Sequence, residues 1–409
     1  MSNSLLTIDM ITREAVALWN NSNAFIQNID RQYDSSFAVD GAKIGQQLRI
    51  RLPNDYTVSD GPALSIQDTS EQYVSLVVST QKTVGVSFTT AEKSMKLDDF
   101  SERVLAPAVN NLAGTVASTI MQGSEGGVCN LVKNLDGSGN LIIPSQTTFL
   151  YGGVALDNNS VPTDRRKIVL SPASDANAVS QFSGLLNPAP EISRQYRTGR
   201  MKEGLGYELW MYDQTVISHT TGSFSAGGTV NGAGQTGTTL TVNPITGTLN
   251  AGDILTIQGV NAVNRINKNV VGTARQFVVL NNVSNGGTSI NIYPAIIPAL
   301  AGNPVQYQTV DVSPANGATI SLATPANSQY WKNISFWPQA ITMVTADLFL
   351  PTKGVEESAR HAFDDVSLRM VTQYIIGTDQ VATRLDVLFG YLFVRPEWAC
   401  VIADPIVSF

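Results

Sequence analysis

The fold of this chain is decided by residues 98–123, which read DDFSERVLAPAVNNLAGTVASTIMQG. Asp99 and Glu102 have the spacing of a helix cap with a reciprocal acid three residues later, which satisfies free amide groups at a helix start. Apolar residues then recur every three to four positions, the period of one apolar stripe along a helix. The stripe comprises Phe100, Val104, Ala108, Leu112, Val116 and Ile120. We predict a helix of about 25 residues that packs across one face of a sheet and ends at nearby glycines, Gly123, Gly126 and Gly127.

Two features of this helix leave alternatives open. Pro107 lacks an amide hydrogen, so either the helix kinks there or a second helix begins there with proline in its first turn. Residues 104–123 also carry no charge, which is one property of a membrane span. Because Asn110, Asn111 and Thr115 interrupt the apolar run, we favour a helix packed on a sheet over one that crosses a membrane.

The composition indicates a protein of two or three domains that makes contacts with neutral surfaces. A chain of 409 residues exceeds the usual size of one hydrophobic core. Charged residues make up only 14%, against about 25% in ordinary soluble domains. The net charge is -7 and no basic block is present, which argues against tight binding of nucleic acid through its phosphates.

The cysteines and the N-terminus suggest synthesis in a cytoplasm. Cys129 and Cys400 have no paired spacing and no histidine cluster beside them, so we expect two buried, reduced thiols. Residues 1–10 lack the positive region and apolar run of a secretion signal.

Residues 5–88 predict an arm followed by a long hairpin. Residues 5–29 have a modest amphipathic pattern interrupted by an asparagine-rich stretch, which indicates a helix, a turn and a second short helix. Between Gly45 and Phe88, apolar residues alternate on both sides of a polar tip that includes Asn54, Asp55, Asp60, Gly61 and Pro62. A hairpin of this length is not stable alone in water, so it needs a surface to lie on.

The next part of the chain alternates short strands and helices, which predicts a mixed α+β domain. A turn signal lies at Asp136–Asn140. We predict a strand at Lys167–Leu170, a helix at Asp175–Phe182, and a strand at Leu205–Ile217 with Tyr207, Leu209 and Met211 on one face.

The composition changes between Gly222 and Val310, where only four residues are charged. Short strands punctuated by turns predict an all-β module, a small Greek-key-like barrel, inserted into the α+β domain. The predicted strands are Thr239–Val242, Asp253–Ile257, Gln276–Leu280, Ser289–Ile292 and Val305–Thr309. After the module, strands are predicted at Ile341–Leu350, Val366–Ile376, Arg384–Val394 and Trp398–Ile402.

No pattern of catalytic, cofactor-binding or metal-binding residues stands out, and we predict that the protein is not an enzyme. Gly232, Gly234 and Gly237 match a dinucleotide-binding glycine pattern, but a β run follows instead of the helix that would hold a pyrophosphate. His219 and His361 are the only histidines, so a Ser-His-Asp triad would need one of them. His361 lies close to Asp364 and Asp365, and we favour a solvated charged turn over an acid-base pair on a helix.

Several long runs resemble the coat proteins of the Salmonella podovirus family. The runs TLNAGDILTIQGV (248–260) and RQFVV (275–279) resemble the family's inserted β domain. The runs FWPQAITM (336–343), TRLDVLFG (383–390) and RPEWA (395–399) resemble its C-terminal signature. The order of elements is also similar to the Hong Kong 97 capsid fold, so the resemblance implies an α+β fold of that class with an inserted β-barrel domain.

The resemblance implies a division into seven segments. These are an N-terminal arm (1–44), an extended hairpin loop over a neighbouring subunit (45–90), a peripheral domain with the spine helix (91–150), a first axial part (151–221), the inserted β barrel (222–310), a second axial part (311–350) and the C-terminal strands (351–409). The family's inserted domain carries a charged loop that bridges capsomers. The matching residues here, 222–237, are uncharged, so ionic bridging by this loop is not expected.

The implied function is that of a major capsid protein of a tailed bacteriophage. The protein would associate with itself as hexamers and pentamers in an icosahedral shell around double-stranded DNA, with a scaffolding protein and a portal as partners and room for a decoration protein. It would be made in the host bacterial cytoplasm and reside in the virion, without binding a membrane. Low charge and a long hairpin suit the many weak contacts of a shell. The alternative is a non-catalytic surface or adhesion protein whose Gly-, Thr- and Asn-rich β module binds glycans.

Overall fold

The computed structural model describes residues 8–34, 47–52, 54–58, 61–62, 66, 71–89, 101–182, 203–299, 305–377 and 380–406. The chain divides into two compact units. The first unit contains Met1–Ile50, Tyr73–Ile120 and Ile341–Val394, and the second contains Arg51–Gln72, Met121–Ala340 and Arg395–Phe409.

The described residues form a mixed α+β structure in which strands outnumber helices. The helices are α1 (Ile8–Ser22), α2 (Ala24–Asn28), α3 (Ala106–Gly127), α4 (Gln146–Asn158) and α5 (Pro172–Phe182). The strands are β1 (Asp30–Asp34), β2 (Gln47–Arg51), β3 (Tyr73–Val77), β4 (Thr80–Thr89), β5 (Asn130–Val132), β6 (Asn134–Leu135), β7 (Leu141–Ile142), β8 (Lys167–Leu170), β9 (Leu209–Tyr212), β10 (Ser218–Thr220), β11 (Ala226–Gly227), β12 (Gly237–Thr241), β13 (Ile245–Thr246), β14 (Ile254–Val263), β15 (Val270–Val279), β16 (Ser289–Ile296), β17 (Ile320–Leu322), β18 (Gln329–Phe336), β19 (Ile341–Ala346), β20 (Glu357–Phe363), β21 (Val366–Ile375), β22 (Gln380–Phe393) and β23 (Ala399–Pro405).

The first unit is built on a six-stranded sheet with the order β1-β19-β22-β21-β20, and β4 also pairs with β22. Every residue of β19 is buried, which is typical of a strand covered on both faces. Helix α1 packs against β20 and β21, and its Ala15, Val16 and Trp19 are buried. The predicted helix, turn and second short helix at residues 5–29 are confirmed, because Asn23 separates the two helices and its side chain caps α2.

Helix α3 confirms the long helix predicted from residues 98–123. A π-helical turn at Ser101–Leu105 precedes it, and Pro107 then lies in the first α-helical turn, which is the second of the two alternatives. The predicted cap residue Asp99 lies outside the described residues. The helix continues past Gly123 and ends at Gly127.

The buried stripe of α3 differs from the prediction at its beginning. Leu112, Val116 and Ile120 are buried as predicted, but Val104 and Ala108 are only half-buried, whereas Leu105 and Val109 are fully buried. A π-helical turn contains more residues than an α-helical one, so it shifts the apolar stripe by one position. Val104, Leu105 and Ala108 line a small apolar cavity together with residues of β4, β21 and β22. These strand residues are Val86, Met370, Thr383 and Leu385. The beginning of the helix therefore lies on a sheet, as predicted.

By length and composition, the helical stretch Glu102–Gly127 could cross a membrane, and half of its most apolar window is buried inside the protein. A core helix meets the same criteria, so this single helix is weak support for a membrane span.

The second unit contains a six-stranded sheet in the order β5-β23-β18-β8-β9, with β10 also paired to β18. Helices α4 and α5 contribute Phe149 and Phe182 to a core that also holds Trp210 and Ile402. Gly152 lets α4 lie close to the sheet, because a Cβ there would be 2.7 Å from the Tyr207 hydroxyl. The predicted turn at Asp136–Asn140 joins β6 to β7, and the Asp136 carboxylate accepts the Ser138 and Asn140 amides.

Residues 222–327, called the β segment below, form a five-stranded sheet in the order β12-β16-β15-β14-β17 and a two-stranded sheet β11-β13. Its hydrophobic core comes from within the segment, between Phe224 and Ile320. The segment begins and ends at adjacent positions, because the Asn327 amide donates to the Gly222 carbonyl at 3.1 Å. The hydrogen-bonded order ends at β12 and β17, and a closed barrel stays a prediction.

Four of the five strands predicted between 222 and 310 are confirmed, and the fifth is wrong. Residues 305–309 contain a turn closed by a hydrogen bond from the Gln308 amide to the Val305 carbonyl, and β17 supplies the fifth strand instead. Strand β20 was not predicted, because its sequence ESARHAF is too polar to show the alternation of a half-buried strand. It pairs with β21 through a tight turn at Asp364 and Asp365, both with positive φ.

Candidate functional site

The predicted hairpin is present as the two-stranded sheet β2-β3. Leu48 and Ile50 of β2 pack against a core that contains Leu76 and Val78 and strand residues of the first unit such as Val344. Arg49 lies over the Tyr73 ring at 4.9 Å, a cation-π contact on the exposed side of the pair. Strand β4, predicted as part of the returning arm, instead joins the six-stranded sheet through β22. The hairpin thus has the supporting surface that its length requires.

A close backbone approach allows the hairpin to lie on this surface. Gly390 of β22 faces the end of β3, and a Cβ at Gly390 would lie 2.4 Å from the Val77 carbonyl oxygen and 2.8 Å from a Leu76 methyl group. Real Cβ atoms do not approach a backbone oxygen so closely. Glycine at position 390 is therefore a steric requirement for this arrangement.

The loop after β2 exposes apolar side chains. Val58 is 91% exposed and Ile66 84% exposed, and more than half of Tyr56 is accessible. Of the predicted polar tip, Asp55 is instead largely covered, because both of its carboxylate oxygens accept from Arg265 Nε, at 3.0 and 2.8 Å. Asp60 lies outside the described residues. Isolated apolar side chains are common on surfaces, but exposure this complete is what a partner surface would cover.

A buried carboxylate connects β4 to its neighbours in the first unit. Asp386 of β22 is completely buried and accepts hydrogen bonds from Thr83, Arg369 and Arg384. Burial alone would raise the pKa of Asp386, but these hydrogen bonds outweigh it and the pKa lies below its ordinary value. The carboxylate stays ionised and fixes the strand that follows the hairpin.

The residues considered for chemistry are not brought together as a catalytic site. His219 lies between Asp253 and Glu125, with its Nε2 2.8 Å from Asp253 Oδ1 and its Nδ1 3.7 Å from Glu125 Oε1. Both ring nitrogens face carboxylates, so neither is placed to activate a hydroxyl. His361 lies in β20 rather than on a helix, and the predicted charged turn at Asp364 and Asp365 is confirmed.

The glycine pattern and the cysteines match the structural predictions. Gly232 and Gly234 have positive φ and lie in a loop that leads into β12, and Gly237, also with positive φ, is the first residue of that strand, so no helix follows the glycines. Cys129 and Cys400 are buried free thiols, and burial raises the pKa of both; that of Cys129 reaches about 12. Within the described ranges, no group of three or more His, Cys, Asp or Glu side chains is arranged to hold a metal ion.

Residues 10–402 match the family model described as P22 coat protein, gene protein 5. The chain belongs to the P22 coat protein family. No curated protein sequence matches this coat protein significantly.

Solved capsid structures are similar to the coat protein at low identity. The capsid of Ralstonia phage GP4 is 11% identical, with 100% of this chain and 95% of that chain covered and a TM-score of 0.46. The mature capsid of bacteriophage PhiM1 is 10% identical, with 94% and 88% covered and a TM-score of 0.44. A structure from Mycobacterium phage Che8 is 10% identical, with 90% and 88% covered and a TM-score of 0.43. Because these TM-scores are below 0.5, the family match carries the assignment.

Membership of the family confirms the predicted function. The coat protein is a major capsid protein of a tailed bacteriophage, and its described residues have the predicted mixed α+β structure. Its role is structural, it assembles into a shell of many subunits, and it resides in the virion capsid. The glycan-binding alternative is not retained, since the family match includes the β segment that suggested it.

The buried charges of Asp386 and Lys332 were not predicted from the sequence. Asp386 and Lys332 each lie inside a strand whose neighbours are mostly apolar, RLDVLF and YWKNISF. A lone charge in such a run is the signal that could have found them, because an unpaired buried charge is too costly to retain. Their partners could not be identified, since Thr83 lies 303 positions from Asp386 in the sequence.

Proposed function

We propose that the coat protein builds an icosahedral shell of hexamers and pentamers around double-stranded DNA, and that the loop between β2 and β3 is the main contact with a neighbouring subunit. The observation that carries this proposal is the nearly complete exposure of Val58 and Ile66 in the loop between two paired strands, of which Leu48, Ile50 and Leu76 pack into a core of the first unit. Exposed apolar side chains in such a loop are suited to bind a neutral surface of another copy.

The seven-segment division accompanies this proposal. Residues 45–90 serve as the extended loop, residues 91–150 include the spine helix, and residues 222–310 form an inserted domain. The adjacent positions of Gly222 and Asn327 support an insertion, because a segment whose ends meet interrupts its host least. Residues 151–221 and 311–350 form the axial domain, and residues 351–409 the closing strands.

The partners and the place of synthesis follow from the same proposal. A scaffolding protein and a portal assist assembly, a decoration protein binds the outside in those shells that carry one, and the subunit is made in the host bacterial cytoplasm. The net charge of -7 supports a shell that encloses DNA without gripping its phosphates. No catalytic, cofactor or metal residues are assigned.

Negative-stain electron microscopy with sedimentation velocity tests the proposal. We expect closed particles of uniform size from the full chain, alone or with a scaffolding partner. Deletion of residues 54–70 should leave a folded subunit, seen as an unchanged circular dichroism spectrum, but abolish the particles. Normal shells from the deletion variant would contradict the assignment of the loop, and small oligomers from the full chain with a scaffold would contradict the shell itself.

A further inference from the structure

Four titratable side chains meet where the β segment joins the rest of the second unit. His219 lies on β10, Lys332 on β18, Glu125 in the last turn of α3, and Asp253 immediately before β14. His219, Lys332 and Asp253 are buried, Lys332 completely, and Glu125 is half-buried. Charges are rarely removed from water in this way unless they are paired.

The histidine ring lies between two carboxylates from different elements. Its Nε2 is 2.8 Å from Asp253 Oδ1, and its Nδ1 is 3.7 Å from Glu125 Oε1. Lys332 Nζ donates to the Ser124 carbonyl at 3.2 Å, so β18 also contacts the last turn of α3. The Tyr330 ring lies on another side, with 5.5 Å between the ring centroids and 62° between the ring planes.

Asp253 in turn holds the beginning of the β segment. Its carboxylate accepts the Asn250 amide at 2.7 Å and the Gly222 amide at 3.1 Å. Gly252 packs directly on the histidine, since a Cβ there would be 3.1 Å from His219 Cε1. The His219 imidazole therefore contacts Asp253, which binds the first residue of the β segment, and Glu125, which lies at the end of α3.

The two carboxylates depend differently on the charge of the ring. In the imidazolium form both ring nitrogens of His219 carry protons. The positive charges of His219 and Lys332 then balance the negative charges of Asp253 and Glu125. In the neutral form the single proton stays on Nε2, where Asp253 is at hydrogen-bond distance. The Nδ1 lone pair then faces the Glu125 carboxylate, and the attraction on that side is lost.

We propose that protonation of His219 clamps the last turn of α3 to the root of the β segment, and that its deprotonation releases Glu125 while the bond to Asp253 remains. The device is a proton-controlled junction built from Glu125, His219, Asp253 and Lys332. It does not depend on the proposed loop contact between subunits.

The direction of the pH effect follows from the surroundings of His219. Burial alone would lower the pKa of His219, but the hydrogen bond to Asp253 and the nearby Glu125 carboxylate outweigh it, so the pKa lies above its ordinary value of 6.5. Because the folded pKa is raised, the clamp is fully formed below pH 6.5 and is lost as the pH rises through the folded pKa. Burial lowers the pKa of Lys332 to about 8, so Lys332 keeps most of its positive charge at pH values below about 8.

Hydrogen-deuterium exchange of the full-length coat protein between pH 5.5 and 8 tests the proposal, with rates corrected for intrinsic pH dependence. We expect protection of residues 121–127 to fall as the pH rises, by up to tenfold for each unit that separates the folded and unfolded pKa values of His219. Residues 250–254 should change less, because Asp253 keeps its hydrogen bond.

Three variants separate the clamp from general pH effects. Glu125→Gln, at a half-buried position that tolerates the change, should make exchange of residues 121–127 independent of pH. Glu102→Gln, an exposed glutamate in the preceding π-helical turn, and His361→Gln, the other histidine, should leave the pH dependence intact. Wild-type protection that does not vary with pH, or pH dependence that survives Glu125→Gln, would overturn the proposal.

Lys332→Met supplies a second measurement. The Lys332 charge lowers the pKa of His219, so its removal should move the midpoint of the exchange transition to higher pH. A midpoint that stays in place or moves to lower pH would show that the transition does not report on His219.

Discussion

Leu112 is the residue on which the packing of the long helix can be tested most directly. It is 2% exposed and lies in the buried stripe of α3. Leu112→Asp should lower the free energy of unfolding by about 4 kcal/mol, because it removes a buried side chain and places an unpaired charge in its site. Urea denaturation measures the loss. Asn110→Asp, which adds the same charge on the exposed face of the same helix, is the control and should change stability by less than about 0.5 kcal/mol.

Asp386 should make the protein sensitive to acid. Its folded pKa is depressed, so its contribution to stability is present above about pH 3.9 and is lost as the pH falls through the folded pKa. Asp386→Asn should cost about 3 kcal/mol at pH 7, because Arg369 and Arg384 lose their shared carboxylate. Urea denaturation from pH 3 to 7 should show the difference from wild type shrinking toward acid. A difference of equal size at every pH, or an equal loss in the exposed Glu357→Gln variant, would contradict this role.

At the scale of single residues, the sequence predicted the burial of the periodic apolar residues better than the burial of polar and charged residues. The period of three to four identified Leu112, Val116 and Ile120, but it selected Val104 and Ala108 instead of Leu105 and Val109, because the π-helical turn before α3 was not recognised in the sequence. The partners of His219 and Asp386 could not be predicted, since they come from other elements far along the chain. Their number and geometry depend on tertiary structure, which a local pattern does not contain.

At the scale of elements, Gly390 determines how the hairpin lies on the first unit. Gly390→Ala would place a methyl group 2.4 Å from the Val77 carbonyl oxygen, so β3 and β22 must separate. Overpacking of this kind costs about 2 kcal/mol. Thermal melting should show the loss. Gly85→Ala is a matched control in β4, a strand paired with the same β22, because its Cβ would meet no atom within 4 Å. Equal melting temperatures for the two variants would show that the close approach is not required.

Most elements could be predicted because their signals were local. Alternation predicted the strands of the hairpin, apolar runs predicted the C-terminal strands, and the asparagine-rich stretch before α2 marked a helix boundary. Strand β20 was not predicted because its side chains are largely polar, and residues 305–309 were wrongly predicted as a strand because their alternating sequence VQYQT lies in a turn. No local signal indicated that β4 would pair with β22 instead of extending the hairpin, because β22 lies about 300 positions later in the sequence.

At the scale of the whole molecule, a small fraction of charged residues and a separate β segment suit a subunit that makes many neutral contacts. The described surface exposes apolar residues at the loop after β2 and at the ends of strands, including Phe363 and Ile376. Weak contacts of this kind become strong together once subunits are linked in a lattice.

The β segment should fold on its own. Its hydrophobic core is internal, its five strands pair among themselves, and its ends meet at Gly222 and Asn327, so excision at these positions leaves the core and the strand pairing intact. Excision does remove His219 from the buried Asp253 carboxylate, which still accepts the Asn250 and Gly222 amides. Residues 222–327 alone should therefore melt cooperatively but at a lower temperature than the same segment in the full chain, as followed by circular dichroism. Phe277→Ala empties the centre of the core and should abolish the cooperative transition. If the excised wild-type segment showed no cooperative transition, the segment would depend on the six-stranded sheet of the second unit for its fold and would not be a domain.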